Sequence, residues 1–157
     1  MIYTAIMIYE NIKITLKSRP EGFPKLENFE VKTENIENLE YGEVIIEVIW
    51  LSLDPYMRGR MSEAKSYALP IQVGEVITGG AVGKIVESKC PKYKINDIVE
   101  GFTLGWQKFA KVSSNKIRKI DPSIAPIQTA VGVLGMPGMT AYFGLFEVCK
   151  PIPGDTV

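Results

Sequence analysis

The chain has 157 residues, of which 46% are hydrophobic and 23% are charged, values typical of a single soluble globular domain. Its 18 basic and 18 acidic residues cancel, so the charge gives no indication of nucleic-acid binding. The absence of histidine excludes Ser-His-Asp and Cys-His catalytic arrangements within this chain and removes the commonest ligand of a catalytic zinc site.

The N-terminal residues 1–8 are mostly apolar, but this stretch is too short to span a bilayer and lacks the basic region and cleavage site of a signal peptide. We interpret it as an edge strand or a loose terminus. The two cysteines, Cys90 and Cys149, lie far apart and neither belongs to a CxxC pair, so the sequence indicates no disulfide framework and no thioredoxin-like motif. These features favour a cytoplasmic protein.

Short β-rich segments separated by glycine and proline extend to about residue 120 and predict a sandwich or a partly open barrel. Residues 11–17 alternate lysine with isoleucine and leucine, which predicts a half-buried strand, and residues 29–33 predict the next short strand. Residues 43–53, EVIIEVIWLSL, are β-branched and mostly apolar, so we expect this long strand to be central in its sheet.

Residues 74–88, GEVITGGAVGKIVES, carry three glycines within β-branched runs, namely Gly79, Gly80 and Gly83. Glycine inside a strand normally marks a bulge or a close backbone approach, so the pattern predicts a bent strand. The glycine spacing does not give the GxGxxG dinucleotide fingerprint. Further strands are predicted in DIVEGF, GWQKFAKV and KIRKI.

After Asp121 and Pro122 the pattern becomes helical, and residues 125–135 predict a short helix. Residues 137–150 predict a second helix, whose apolar side chains cover most of its circumference, so we expect it to be buried nearly all round. The hydroxyl of Thr140 then needs a partner, either a backbone carbonyl or a ligand. The final residues, Thr156 and Val157, have the β-branched character of a strand that begins there.

The stretch LSLDPYMRGRM, residues 51–61, follows the central strand. Asp54 before proline predicts a capping or turn role. Arg58 and Arg60, two residues apart, would share a face in an extended segment and would most simply form a surface pair or bind carboxylates. Tyr56 is the functional candidate, because a phenol can act as a weak acid or donate a hydrogen bond to a developing oxyanion, although a structural role is commoner for a buried tyrosine.

Four segments, taken in order, carry a resemblance to a known family: LSLDPYMRGRMSEAKSYA, GEVITGGAVGKIVESK, GWQKFAKV and VLGMPGMTAYFGLFEVCKP. The chain resembles the zinc-independent medium-chain dehydrogenases/reductases, and within them the NADPH-dependent alkenal/enone and prostaglandin reductases, with curcumin reductase as a relative. The resemblance implies a mainly β fold, a GroES-like partly open β-barrel with short helices near the C-terminus. It also implies that the Rossmann domain of full-length members is absent from this chain.

On this basis we divide the chain into a GroES-like substrate and catalytic domain, residues 1–135, and a connecting segment, residues 136–157. The connecting segment would contain a helix and the start of the first strand of a missing nucleotide-binding domain. An isolated chain of this kind should bind NADPH weakly or not at all. Its apolar terminal helix should leave an exposed patch, through which we expect self-association or a homodimer.

The resemblance implies hydride transfer from NADPH to the β-carbon of an α,β-unsaturated aldehyde or ketone. Tyr56 lies at the position of the family's cleft-lining tyrosine and is the catalytic and substrate-binding candidate, while Tyr67 is a weaker candidate for substrate contact. A segment that lies against the nicotinamide in relatives, GMxGxTAY, predicts the cofactor contacts. They are Met136, Pro137, Gly138 and Thr140.

No metal is expected, because the positions near which zinc-dependent relatives carry Cys and His ligands hold Ser52, Gly74 and Glu75 here. Two alternatives to the enone reductase stay open. One is a free-standing GroES-like module that binds or assembles partners without catalysis, and the other is a fragment of a quinone oxidoreductase. The hydroxyl at Thr140 and the phenol at Tyr56 favour an enzymatic origin, since a scaffold does not need them.

Overall fold

The structure is a computed structural model that describes residues 7–157. The strands within this range are β1 (Tyr9–Leu16), β2 (Phe29–Ile36), β3 (Glu43–Leu51), β4 (Ala81–Ser88), β5 (Ile98–Gly101), β6 (Phe109–Ser113) and β7 (Arg118–Lys119). The α-helices are α1 (Tyr56–Arg60) and α2 (Met136–Phe143). Short 3-10 helices lie at Leu26–Asn28, Ser114–Lys116 and Ile127–Val131, and a π-helical segment lies at Gly144–Cys149. The mainly β prediction is confirmed.

The strands form two antiparallel sheets. One pairs β1 with β2 along their full length, and the other has the order β6-β3-β4-β5-β7. Strand β1 also links the two sheets, since the amide of Ile14 donates to Trp106 O at 2.9 Å and the amide of Leu16 donates to Glu75 O at 2.9 Å. These bonds satisfy part of an otherwise open edge and give the partly open barrel.

Strand β3 is paired on both sides, with β4 and with β6, which confirms its predicted central position. The main core cluster lies around it and includes Val44, Ile46, Ile85 and Val99, each of which is fully buried. The pairing of β3 with β4 shifts register twice, so the predicted bend is present. The regular strand begins at Ala81, however, and not at residue 74 as the sequence pattern indicated.

Strand β1 buries polar side chains that the alternation did not single out. Asn11 and Thr15 are fully buried, whereas Ile12 is 44% exposed. Asn11 donates to Gln107 Oε1 and accepts from the amide of Phe109, both at 2.9 Å. Burial of a polar side chain is tolerated when its hydrogen bonds are made, so Asn11 helps to fix β1 against the segment that leads into β6.

The C-terminal helical region differs from the prediction. The first helix is a 3-10 helix that ends at Val131, short of residue 135. Helix α2 contains no buried residue, so the prediction that it is buried nearly all round is wrong for the described residues. One side of the helix packs on the turn before it, and the amide of Gly138 donates to Gly132 O at 3.2 Å.

The remaining apolar side chains of this region are exposed, which confirms the expected apolar patch, with Tyr142 at 56% and Val148 at 78% exposure. Thr156 and Val157 do not form a strand in the structure. The proposed edge strand at the N-terminus falls mainly on residues 1–6, which lie outside the described residues. In the range from Met7 onward, the helices are all too short or too polar to cross a bilayer.

Candidate active site

The corner after β3 is held by backbone hydrogen bonds. Ser52 donates its amide to Gly80 O at 2.8 Å, and Asp54 O accepts from the amide of Met57 at 3.1 Å at the start of α1. The side chain of Asp54 makes no capping hydrogen bond to α1, and its Oδ2 atom is buried without a partner among the described residues. The turn prediction is therefore confirmed for the backbone, while the carboxylate makes no capping hydrogen bond.

The two arginines after Tyr56 have separate roles. Because Tyr56–Arg60 is helical, Arg58 and Arg60 do not share a face as they would in an extended segment. Arg58 donates from Nε to Gly22 O and from Nη2 to Pro20 O, both at 2.9 Å, so it braces the corner against the loop after β1 through backbone carbonyls rather than through a carboxylate. Arg60 has a buried Nε without a partner among the described residues.

Tyr56 lies partly buried at the start of α1. Burial raises the pKa of its phenol above the ordinary value of about 10, and the negative charge of Asp54 acts in the same direction. The guanidinium of Arg60 and the backbone N–H of Gly80 act against this rise in pKa. The phenol is consequently protonated at neutral pH and can donate a hydrogen bond.

A small recess of about 20 Å³, room for about one water molecule, lies beside this corner. Its lining brings together three separate parts of the chain: Ser52 and Asp54 from the corner, Gly80 at the entry to β4, and Met136 and Pro137 at the start of α2. A Cβ atom at Gly80 would come within 3.4 Å of Ser52 Oγ and would reduce the space in the recess.

The predicted site residues are distributed unevenly around this recess. Met136 and Pro137 line it, and Tyr56 lies next to two of its lining residues, since Asp54 and Gly80 both influence the phenol. Tyr67 is 87% exposed. Its side chain is close enough to Tyr56 that its ionised form would raise the pKa of the Tyr56 phenol. Tyr67 is thus near the site without being part of its wall.

Gly138 and Thr140 do not line the recess. A Cβ at Gly138 would come within 1.8 Å of Val133 O, so this glycine allows α2 to pack on the preceding turn. The hydroxyl of Thr140 donates to Met136 O at 2.8 Å, the backbone-carbonyl alternative weighed for this residue. Cofactor contact by these residues stays a prediction.

Sequence reasoning did not single out Glu100 and Phe102, which also line the recess. Glu100 is 6% exposed and forms an ion pair with Arg118. An acidic residue inside the apolar strand segment DIVEGF was the signal available, because a buried carboxylate needs a partner. In residues 7–157 no three His, Cys, Asp or Glu side chains are grouped closely enough to hold a metal ion.

Comparison with known proteins gives one family match, to a family described as the N-terminal domain of oxidoreductase, over residues 13–120. The NADPH-dependent curcumin reductase of Escherichia coli is 41% identical over 147 residues, which are 94% of this chain and 42% of the relative. The NADP(+)-dependent 2-alkenal reductase of Nicotiana tabacum is 39% identical over 152 residues, which are 94% of this chain and 44% of the relative.

Comparison with solved structures agrees with these sequence matches. The crystal structure of CurA from Vibrio vulnificus superposes with a TM-score of 0.85 at 40% identity, covering 92% of this chain and 42% of that protein. CurA in complex with NADPH superposes with a TM-score of 0.82 at 40% identity, with the same coverage. The chain thus spans less than half the length of each of these relatives.

Proposed function

This chain belongs to the family described as the N-terminal domain of oxidoreductase, and we propose that it is the substrate-side domain of an NADPH-dependent reductase of enones and enals. Its homology to NADP-dependent reductases supports the cofactor. The observation that carries the proposal is the recess in which the Asp54 corner, with Tyr56 beside it, meets the start of α2. Residues 136–157 would then connect this domain to a nucleotide-binding domain.

The chemistry assigned to this chain is stabilisation of charge on the substrate. NADPH, when bound, supplies the hydride that reduces the β-carbon of the enone. Negative charge then develops on the carbonyl oxygen, and a hydrogen-bond donor placed there lowers the barrier. Tyr56 provides that donor, because a phenol is protonated at neutral pH and burial raises its pKa further.

The start of α2 would hold the nicotinamide end of the cofactor. Met136 and Pro137 would offer an apolar surface for the ring. Gly138 and Thr140 would contribute to cofactor binding indirectly, because they help to set the position and direction of α2.

The isolated chain should bind NADPH only in the millimolar range, because the adenosine and pyrophosphate parts of such a cofactor bind mainly at a glycine-rich loop and helix N-terminus. No GxGxxG pattern occurs in the sequence. Isothermal titration calorimetry with NADPH checks this, with the E. coli curcumin reductase as a positive control. Micromolar affinity for the chain alone would contradict the prediction.

The proposed reaction is tested in a protein that joins this chain to the nucleotide-binding domain of a close relative. NADPH oxidation is measured with a panel of enals, enones and quinones, and the saturated carbonyl product is identified by mass spectrometry. Reduction of the C=C bond is expected. A preference for quinones would favour the quinone oxidoreductase alternative, and no turnover with any compound would favour a binding module.

The exposed apolar patch of α2 and the π-helical segment predicts self-association of the isolated chain. Size-exclusion chromatography with light scattering should give a mass above that of a monomer at high protein concentration. Val148→Lys, at a position 78% exposed within the patch, should shift the equilibrium to monomer. Val31→Lys is the matched control, since Val31 is 68% exposed on β2. A monomer at all concentrations would disprove the prediction.

A further inference from the structure

Arg60 differs from the other three arginines of the chain, because its side chain is not committed to a partner. Arg19 and Arg118 each form an ion pair with a carboxylate, and Arg58 donates to two backbone carbonyls. Within residues 7–157 the Arg60 side chain forms neither an ion pair nor a hydrogen bond, although its Nε atom is buried. A buried donor without a partner is unfavourable, so this guanidinium requires an explanation.

The backbone of Arg60 is nevertheless fixed at the end of α1. Its carbonyl oxygen accepts from the amide of Ile71 at 2.7 Å, and Ile71 O accepts in turn from Nη1 of Arg19 at 3.1 Å. Met57 within α1 and Met61 directly after it are both 3% exposed and anchor the helix in the core. The guanidinium of Arg60 therefore projects from a defined point.

The side chain that Arg60 meets on α1 is Tyr56. The two residues lie four positions apart on the helix, so their side chains are neighbours on one face. Burial is the main cause of the raised pKa of the Tyr56 phenol, the carboxylate of Asp54 and the ionised form of Tyr67 add to it, and the guanidinium of Arg60 lowers it. Asp54 and Arg60 thus act on one phenol with opposite charges, and neither forms an ion pair within residues 7–157.

We propose that Arg60 is a positioning residue for the proposed reaction, whose guanidinium offsets the Asp54 carboxylate at the Tyr56 phenol and so favours negative charge on the oxygen to which that phenol donates. This inference rests on the proposed function for the nature of that oxygen. Without Arg60, the carboxylate would act alone and would oppose a developing enolate, because like charges repel. The lack of a carboxylate partner leaves the positive charge of Arg60 available for this role.

The electrostatic part of the proposal is tested on the chain as it is, without catalysis. Position 56 is labelled with difluorotyrosine, whose phenol ionises nearer to neutral pH, and the titration is followed by ¹⁹F NMR. Arg60→Gln should raise the pKa of this phenol and Asp54→Asn should lower it. Arg60→Lys should leave the pKa close to that of the parent, because the positive charge is kept.

Lys65→Gln is the matched control, since it removes one positive charge from an exposed position that does not act on the Tyr56 phenol. The phenol pKa should not change in this variant. If Arg60→Gln and Lys65→Gln have the same effect on the phenol pKa, the proposal is overturned.

The effect on the reaction is measured in the protein that joins this chain to a nucleotide-binding domain. Arg60→Gln should lower kcat for enone reduction about tenfold with little change in KM, a smaller loss than removal of the donor itself. Arg60→Lys should recover most of this activity. Equal kcat in Arg60→Gln and the parent, or an equal loss in Arg60→Gln and Arg60→Lys, would overturn the proposal. If the phenol pKa responds as expected but the parent fused protein reduces no enone, the proposed function fails, whereas the electrostatic coupling of Arg60 to Tyr56 stands.

Discussion

Replacing Tyr56 by phenylalanine should lower kcat for enone reduction about 10²- to 10³-fold in a protein that joins this chain to a nucleotide-binding domain, the loss expected when one donor to a developing oxyanion is removed. The change removes only a hydroxyl, so the ring still packs at the start of α1. KM should change little, because the hydrogen bond strengthens as charge develops and contributes less to ground-state binding. Steady-state NADPH oxidation with one enone provides the measurement.

The matched control is Tyr67→Phe, which removes a phenol from a tyrosine that is 87% exposed near the same site and should leave kcat within about twofold. The pKa of Tyr56 adds a second readout. Burial raises this pKa, so the phenol stays protonated up to and beyond pH of about 10, and its donor role is lost only above that pH. Equal activity of Tyr56→Phe and the parent would disprove the assignment.

The fold could be predicted from the sequence wherever a local pattern is sufficient. The β-branched run of β3 and the turn residues between strands predict a mainly β domain, and the family resemblance implies its GroES-like architecture. The structure and the family match confirm both. The burial of α2 could not be predicted correctly, because an apolar circumference does not say which partner covers it. Likewise, the burial of Asn11 on β1 depends on hydrogen bonds to residues about 100 positions away.

Only part of the candidate site could be predicted from the sequence, for the same reason. A proline directly follows Asp54, where the strand ends, and Met136, where the helix starts, so both positions could be located in the sequence. Their meeting across the recess is a consequence of tertiary structure, as is the position of Glu100 on its wall. Phe29, Leu53 and Trp106 line one depression although they come from three distant segments, and no local motif connects them.

Replacing Gly83 by alanine should lower the free energy of unfolding by about 3 kcal/mol or more, the upper range for adding a methyl group to a packed interior. Gly83 pairs with Val48 between the two main strands of the sheet. A Cβ there would come within 2.4 Å of Glu47 O and 2.5 Å of Ile46 Cγ2, and neither a ladder carbonyl nor a fully buried isoleucine can move aside easily. Since domains have a total stability of about 5–15 kcal/mol, urea denaturation should show a much earlier transition.

Gly59→Ala separates this steric effect from the general effect of replacing glycine. Gly59 lies in α1, and a Cβ there would meet no heavy atom within 4 Å, so alanine should stabilise the chain by up to about 1 kcal/mol through its higher helix propensity. Neither glycine requires a left-handed backbone conformation, so the two variants differ in the space around the added methyl group. If both variants unfolded at the same urea concentration, the close approach of β3 and β4 at Gly83 would not be a determinant of stability. If only Gly83→Ala lowers the free energy of unfolding strongly, glycine is required at position 83 because Glu47 O approaches β4 closely there.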